Sequence, residues 1–346
     1  VKSDRPLQDV RVIECASDSC PLAVRLALAF AGRIATDLGA KVTALRAPAH
    51  ADLDRIEPRV AEHSALGLFL DAGKQCLQIA DSRVAGSHLE GADVIFSDVP
   101  LYEAQARTAP GAVWSVVSAF GKVTDHTLQS EFTLMALCGL LDLVGDPLEA
   151  PLRLGGHQLA YAAGLAAYGG AIAALCAREV GQTPEAVRIS LADVGVWLNW
   201  KSVAMPSWSD RCVSRQGGAA EWRTVRCADG WIALVCSEAD WPALRELIGD
   251  PRLSEPRFED RAERRKHAAY IAEIVQSAFG GYSRAQLRDA ALARRLPLGA
   301  VWSPLELEND PQNRQREFLQ RVVPHNLLRP RLPVLWGGPA AGEADR

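Results

Sequence analysis

Short apolar runs separated by polar or helix-patterned connections fill the first 121 residues and leave the chain few folds to choose from. VRVIECA (10–16), CLQIADS (76–82), ADVIFSDV (92–99) and GAVWSVVSAFG (111–121) are β-rich, and AGRIATDLGAKVTAL (31–45) reads as a helix ending at Gly39 followed by another strand. Several of these runs place apolar residues at consecutive rather than alternate positions, the mark of strands covered on both faces. They predict an α/β domain with a largely parallel, doubly wound sheet. No GxGxxG follows the first strand, so a dinucleotide site has no support.

The second constraint is GGHQLAYAAGLAAYGGAIAAL (155–175), part of an uncharged run from Leu154 to Ala177. The run is long enough to span a bilayer, but its His, Gln, two Tyr and many small residues favour a buried, tightly packed helix. Glycine inside a helix costs up to about 1 kcal/mol relative to Ala, so Gly164, Gly169 and Gly170 read as points of close approach to a neighbour. Before this run, SEFTLMALCGLLDLV reads as helix from about Glu131; after it, EAVRISLADVGVWLNW (185–200) reads as strand, then helix. SWSDRCVSRQGGAA (207–220) has linker composition, and WRTVRCADGWIALVCS (222–237) is patterned as a hairpin turning at Ala228-Asp229-Gly230. The expected organisation is a large domain over 1–205, a linker and small α/β domain over 206–304, and a return to the large domain over 305–346.

Composition narrows the partners. With 48% hydrophobic residues in 346, the chain can bury a sizeable core. A net charge of -4 from 38 basic and 42 acidic residues leaves no basic footprint for nucleic acid or anionic membrane. Eight cysteines are dispersed without CxxC or Cys/His metal spacing, so no metal site is expected and the thiols suit a reducing compartment. The first residues lack a secretory h-region, and a cytoplasmic location is expected.

Taken in order, PLQDVRVIE, AGRIATDLGAKV, AGKQCLQI, AFGKVTD, LCGLLDLVGDP, VRISLADV, ADGWIALV, LIGDPRLSEPRFEDRAERR and LPLGAVWSPLELENDPQ resemble the family III CoA-transferases, the group that includes formyl-CoA transferase, carnitine CoA-transferase and α-methylacyl-CoA racemase. The resemblance implies a Rossmann-like large domain made from both chain ends, an inserted small α/β domain, and two chains threaded as interlocked rings. It implies coenzyme A or an acyl-CoA as ligand or substrate at the dimer interface, with no covalently bound cofactor. In such transferases an Asp carboxylate attacks the thioester carbonyl and expels the CoA thiolate, giving a mixed anhydride. CoA then returns to form an enzyme-bound thioester that passes to the acceptor acid.

The family's Asp lies four residues before a Gly-Leu pair. Gly164-Leu165 sets that register here, and the position falls on Ala160, with no Asp or Glu between Ala150 and Glu179. A methyl group cannot attack a thioester, so the chain alone is not expected to be a competent transferase. It would be the non-catalytic subunit of a heteromer with an intact family member, or would work by an altered mechanism; the alternative is a non-catalytic homologue kept for CoA-thioester binding or for assembly. The substitutes within reach in sequence are Glu131, whose ordinary role is to face its own helix dipole, His157 as a general base, and Gln158, which is not chemically equivalent to Asp. The racemases' His position falls on Ser130, so two-base chemistry lacks both partners. On the coenzyme side the resemblance points to Arg46, Leu70, Lys74 and Asp98, with Arg46 and Lys74 as cations for phosphates. Asp98 stands where the family usually has Asn, and a carboxylate there repels a phosphate by about 1 kcal/mol or more. The expected assembly is a homodimer, or the heteromer just named.

Overall fold

The computed structural model describes residues 5–121, 130–182, 186–208, 215, 222–322 and 326–334. The first part of the chain runs β1 (Arg11–Glu14), α1 (Leu22–Asp37), β2 (Lys41–Arg46), α2 (Ala65–Asp71), β3 (Gln75–Gln78), β4 (Val94–Asp98), β5 (Val113–Ser118), α3 (Glu131–Leu137), α4 (Gln158–Glu179), β6 (Val187–Ser190), α5 (Leu191–Leu198) and α6 (Trp200–Ala204), with shorter turns of helix between. The six strands form one sheet in the order β3-β2-β1-β4-β5-β6, and every neighbouring pair is parallel. This is the doubly wound order in which the chain reverses direction across the sheet between β1 and β4. Alternate residues of each strand serve opposite layers. Val12, Val42, Val94 and Val113 pack beneath α1 and α4 in one core, while Ile13, Leu45, Ile95 and Trp114 build a second core on the other face. Both faces being covered is why β4 and β5 are buried at every position.

The chain divides into two compact units, one of residues 1–144, 152–213 and 318–346, the other of 145–151 and 214–317. The second unit has its own core and a three-stranded antiparallel sheet, with β7 (Trp222–Cys227) and β8 (Gly230–Val235) as the hairpin and β9 (Leu298–Ala300) on the far edge of β8. Helices α7 (Trp241–Ile248), α8 (Ala268–Phe279) and α9 (Arg284–Arg294) contribute Leu244, Ile271, Ile274, Phe279 and Leu287 to its core. Residues 305–317 group with this unit rather than with the larger one, and Arg284 Nη2 holds the Glu306 carboxylate at 2.6 Å. The last described element, the antiparallel hairpin β10 (Leu319–Val322) and β11 (Leu327–Pro330), belongs to the larger unit. Most of the linker-like stretch 207–220, and residues 122–125 of AFGKVTD, lie outside the described residues.

Two local expectations are corrected by packing. The helix expected to run on from Glu131 stops at Leu137, because Gly139 takes a left-handed φ of +73° and a Cβ there would stand 2.9 Å from Asn199 Nδ2. In α4 the glycines do not act alike. A Cβ on Gly164 would meet the Ala27 carbonyl oxygen at 2.5 Å and Phe30 Cβ at 3.0 Å, and one on Gly170 would meet Val187 Cγ1 at 2.5 Å. A Cβ on Gly169 would meet nothing within 4 Å. Gly164 thus lets α4 lie against the backbone of α1, Gly170 lets it lie against β6, and Gly169 faces outward. Helix α4 is long and apolar enough to cross a membrane by length and composition, yet Leu159, Ala160, Ala163, Ala167, Ala171 and Ala174 form a stripe buried in the protein.

These contacts give opposite expectations for two Gly-to-Ala changes in one helix. Gly164→Ala should destabilise by about 1–3 kcal/mol, since a backbone oxygen cannot step aside as a side chain can. Gly169→Ala should stabilise by up to about 1 kcal/mol through helix propensity. Urea denaturation of both variants checks this, and a neutral or stabilising Gly164→Ala would contradict the close approach.

Candidate functional site

In a doubly wound sheet ligands bind in the crevice beyond the carboxyl ends of the strands, at the reversal point, here between β1 and β4. β1 ends in Glu14, the one charged residue among its three buried positions, and its side chain is 2% exposed. Its two oxygens are divided between two cations: Oε1 accepts from Arg46 Nη1 at 2.7 Å, and Oε2 accepts from Lys74 Nζ at 2.6 Å. Arg46 also reaches Asp71 at the end of α2, and Lys74 donates to the Ala29 carbonyl of α1 at 2.8 Å. Gly32 makes room for this, since a Cβ there would lie 2.5 Å from Glu14 Oε2. Burial by itself raises the Glu14 carboxyl, but the charges and hydrogen bonds of Arg46 and Lys74 override it and hold its pKa down to about 2. Burial likewise lowers the Arg46 guanidinium, and Glu14 and Asp71 more than reverse it.

The expectation of Arg46 and Lys74 as open cations therefore meets a different placement. Lys74 is fully covered, and both side chains are committed to an internal cluster with Glu14 and Asp71. Asp98 is at the crevice but is likewise engaged, with Oδ1 accepting from the Ser17 amide at 2.9 Å and Oδ2 from the Ser17 hydroxyl. At 3% exposure it ties the end of β4 to the loop after β1. Beside these groups lie two small cavities. One of about 20 Å³ is lined by Glu14, Arg25, Arg46 and His50, and one of about 30 Å³ is lined by Asp98, Pro100 and Phe120. Each has room for about one or two waters, so a coenzyme does not fit inside either.

The group around Ala160, where the resemblance points for the family's nucleophile, is built on the start of α4. Ala160 is fully buried in an apolar cluster with Leu26, Ala29, Leu53 and Leu70, so Leu70 sits with Ala160 in the interior. The Glu131 carboxylate approaches this point from another helix. Ser130 caps α3, its hydroxyl accepting from the Thr133 amide at 3.1 Å, and Glu131 at the next position turns toward α4. Its Oε1 accepts from the backbone N–H of Leu159 at 3.1 Å and of Ala160 at 3.2 Å, and its Oε2 meets His157 Nδ1 at 2.7 Å. His157, at the N-cap position of α4, makes no side-chain cap of its own, so Glu131 satisfies the helix's first amides instead. The sequence reading gave Glu131 the dipole of its own helix; the structure gives it the dipole of α4 as well. Gln158 is turned away, its amide donating to the Gly155 carbonyl at 3.0 Å. The Tyr161 ring stacks obliquely on Phe30 with centroids 5.0 Å apart, and burial followed by the nearby Glu131 charge raises its hydroxyl pKa.

Glu14, Asp71 and Ser17 were missed by the sequence reading. Glu14 carried a usable signal, since an acid at the end of an apolar core strand must find a cation. Among the described residues, no group of three or more His, Cys, Asp or Glu stands close enough to hold a metal ion.

A parallel doubly wound sheet with its polar residues gathered at the β1/β4 crevice defines a Rossmann-like α/β protein. The chain belongs to CoA-transferase family III, whose model matches residues 7–341. It is 24% identical over 335 residues to the acetyl-CoA:oxalate CoA-transferase of Acetobacter aceti, covering 89% of this chain and 85% of that one. It is 25% identical over 383 residues to the succinyl-CoA–D-citramalate CoA-transferase of Chloroflexus aurantiacus, covering 99% and 92%. Among solved structures it shares its fold with a CAIB/BAIF family protein from Brucella suis (TM-score 0.83, 20% identity, 96% of this chain and 92% of that one). A hypothetical protein from Mycobacterium tuberculosis is similar too (TM-score 0.77, 19% identity, 96% and 94%).

The buried ion cluster makes a pH-dependent prediction. Glu14→Gln leaves two cations short of a partner and should cost about 3–5 kcal/mol at neutral pH. The folded pKa of Glu14, about 2, lies below its ordinary value of 4.5, so its contribution is complete above about 4.5 and is lost as pH falls toward 2. Urea denaturation at neutral pH and again at about pH 3 should show the gap between wild type and variant narrowing in acid. A gap that ignores pH would contradict the assignment.

Proposed function

We propose that this chain binds short acyl-CoA thioesters and does not transfer CoA by itself, acting as one subunit beside a family member that retains the nucleophilic Asp. The observation that carries the second part is Ala160. It is fully buried among Leu26, Ala29, Leu53 and Leu70, so the family position holds neither a carboxylate nor a polar pocket shaped for one. The carboxylate nearest in role, Glu131, is 7% exposed and already accepts from two backbone amides and meets His157. Attack on a thioester carbonyl needs an oxygen lone pair directed at carbon, and these donors hold the oxygens elsewhere. The substrate class follows the two relatives' names, each of which joins a short acyl-CoA to a carboxylic acid.

A partner is supported by the surface of α5 and α6, where Trp197 is 72% exposed, Trp200 60% and Val203 54%. Monomeric proteins rarely leave such aromatic area open to water, and it suits an interface with a second family chain. The cytoplasm is the proposed compartment, because dispersed free thiols suit reducing conditions.

Mass spectrometry of the purified chain after incubation with a panel of acyl-CoAs tests the proposal. No covalent adduct and no transfer to free acids are expected from the chain alone. An acyl or CoA adduct mapped to Glu131, His157 or any other side chain would overturn it and make the chain an enzyme with a relocated nucleophile. Ala160→Asp should not confer transfer, and it should lower stability by about 1–3 kcal/mol because the new carboxyl enters an apolar cluster. A variant as stable as wild type would mean that position 160 still has room for the family's Asp.

A further inference from the structure

The open edge of a sheet is where a further chain can add a strand, and the sheet of the smaller unit contains a segment that favours this. β8, GWIALV (230–235), has no charged residue and no proline, and an uncharged segment of that length with high β propensity is the kind from which stacked sheets grow. In the native sheet β8 is central, with β9 on one side and β7 on the other. Its shelter therefore depends on how β7, an edge strand, is closed.

The register shows which groups of β7 point outward. Val225 lies opposite Ile232 and Arg226 opposite Trp231, and backbone groups alternate in direction along a strand. The Arg226 amide and carbonyl are the ones turned away from β8, and a single side chain of α8 takes both. The Arg226 N–H donates to Gln276 Oε1 at 3.1 Å, and Gln276 Nε2 donates to the Arg226 carbonyl at 2.8 Å. A neighbouring strand would offer this residue the same acceptor and donor, so the primary amide of Gln276 stands in for a peptide group. Just past the end of β7, the Ala228 N–H donates to the Tyr282 carbonyl at 2.9 Å. Gln276 itself is exposed, whereas Ile271, Ile274, Val275 and Phe279 fill the core, so α8 does not need its side chain for packing. On the outer face of the sheet the Arg226 guanidinium lies 5.6 Å over the Trp231 ring, and Trp231 is 44% exposed.

We propose that Gln276 is a gatekeeper of the smaller unit: its side-chain amide occupies the pairing groups of β7 and keeps a second copy of the chain from adding a strand there. The clamp acts on association more than on folding, because hydrogen bonds at a surface are exchanged for bonds to water with little net change. Without it, the donor and acceptor of Arg226 stand side by side on an open edge, and the same edge of a second copy satisfies both. The surface of α5 and α6 belongs to the larger unit, so this edge is a separate contact from the one assigned to a partner there.

Gln276→Met keeps the length of the side chain and removes both hydrogen bonds, which makes it the test in the full chain. The Arg226 amide should exchange its hydrogen about tenfold faster or more. Light scattering should show a concentration-dependent species larger than the wild-type assembly, with the melting midpoint unchanged. Gln276→Glu retains an acceptor for the Arg226 amide and adds a charge at the edge, so it should leave both readings as in wild type. Adding Thr224→Pro to Gln276→Met should abolish the extra association, because residue 224, two positions along β7, turns its N–H to the same edge and proline removes it. Unchanged exchange at Arg226, faster exchange with no larger species at any concentration, or association that survives Thr224→Pro would each overturn the gatekeeping role. A large fall in the melting midpoint would overturn it too, by making Gln276 a residue that holds the fold.

Discussion

The buried carboxylate of Glu14 is the constraint around which the larger unit is arranged. A charge taken out of water at the end of a core strand is tolerable only when cations meet it directly, and Arg46 and Lys74 do so at 2.7 and 2.6 Å. Meeting it joins β1 to the end of β2 and to the turn before β3, while Asp71 brings in α2 and the Ala29 carbonyl brings in α1. Five elements thus converge on one carboxylate, which fixes the β1 side of the crevice, while Asp98 and Ser17 tie β4 to it.

The start of α4 shows the same logic applied to a helix. Its first amides need acceptors, and its own N-cap side chain supplies none, so a carboxylate from α3 fills the role. That choice bears on chemistry. Glu131 is drawn into holding the helix, while Ala160 is absorbed into the apolar cluster that α4 shares with α1 and Leu70. The helix is kept there by the close approach at Gly164, so the apolar burial of Ala160 and the tight packing of α4 on α1 belong to one arrangement.

Much of the fold was legible along the chain because strand burial and turn chemistry are local signals. The apolar runs of β4 and β5 marked strands covered on both faces, and Ala228-Asp229-Gly230 marked the hairpin of the smaller unit. What was not legible involved partners far apart in sequence. Nothing in AGKQ says that Lys74 is covered by Glu14, 60 residues away, and nothing near Ser130 says that the next carboxylate caps a helix beginning 27 positions later. Gly169 could not be told from Gly164 and Gly170 for the same reason, because only the neighbouring chain decides whether a Cβ has room.

By itself the sequence determined the layered α/β class, the parallel sheet, the membership in CoA-transferase family III, and the alanine at position 160. These depend on side-chain periodicity and on spacing within single elements, which a linear chain carries intact. Only the tertiary structure decided which charges stay available to a ligand. Glu14, Arg46, Lys74 and Asp98 are engaged internally. The strength of a charge pair depends on separation and on exclusion of water, and both are set when distant segments meet rather than by the order of residues.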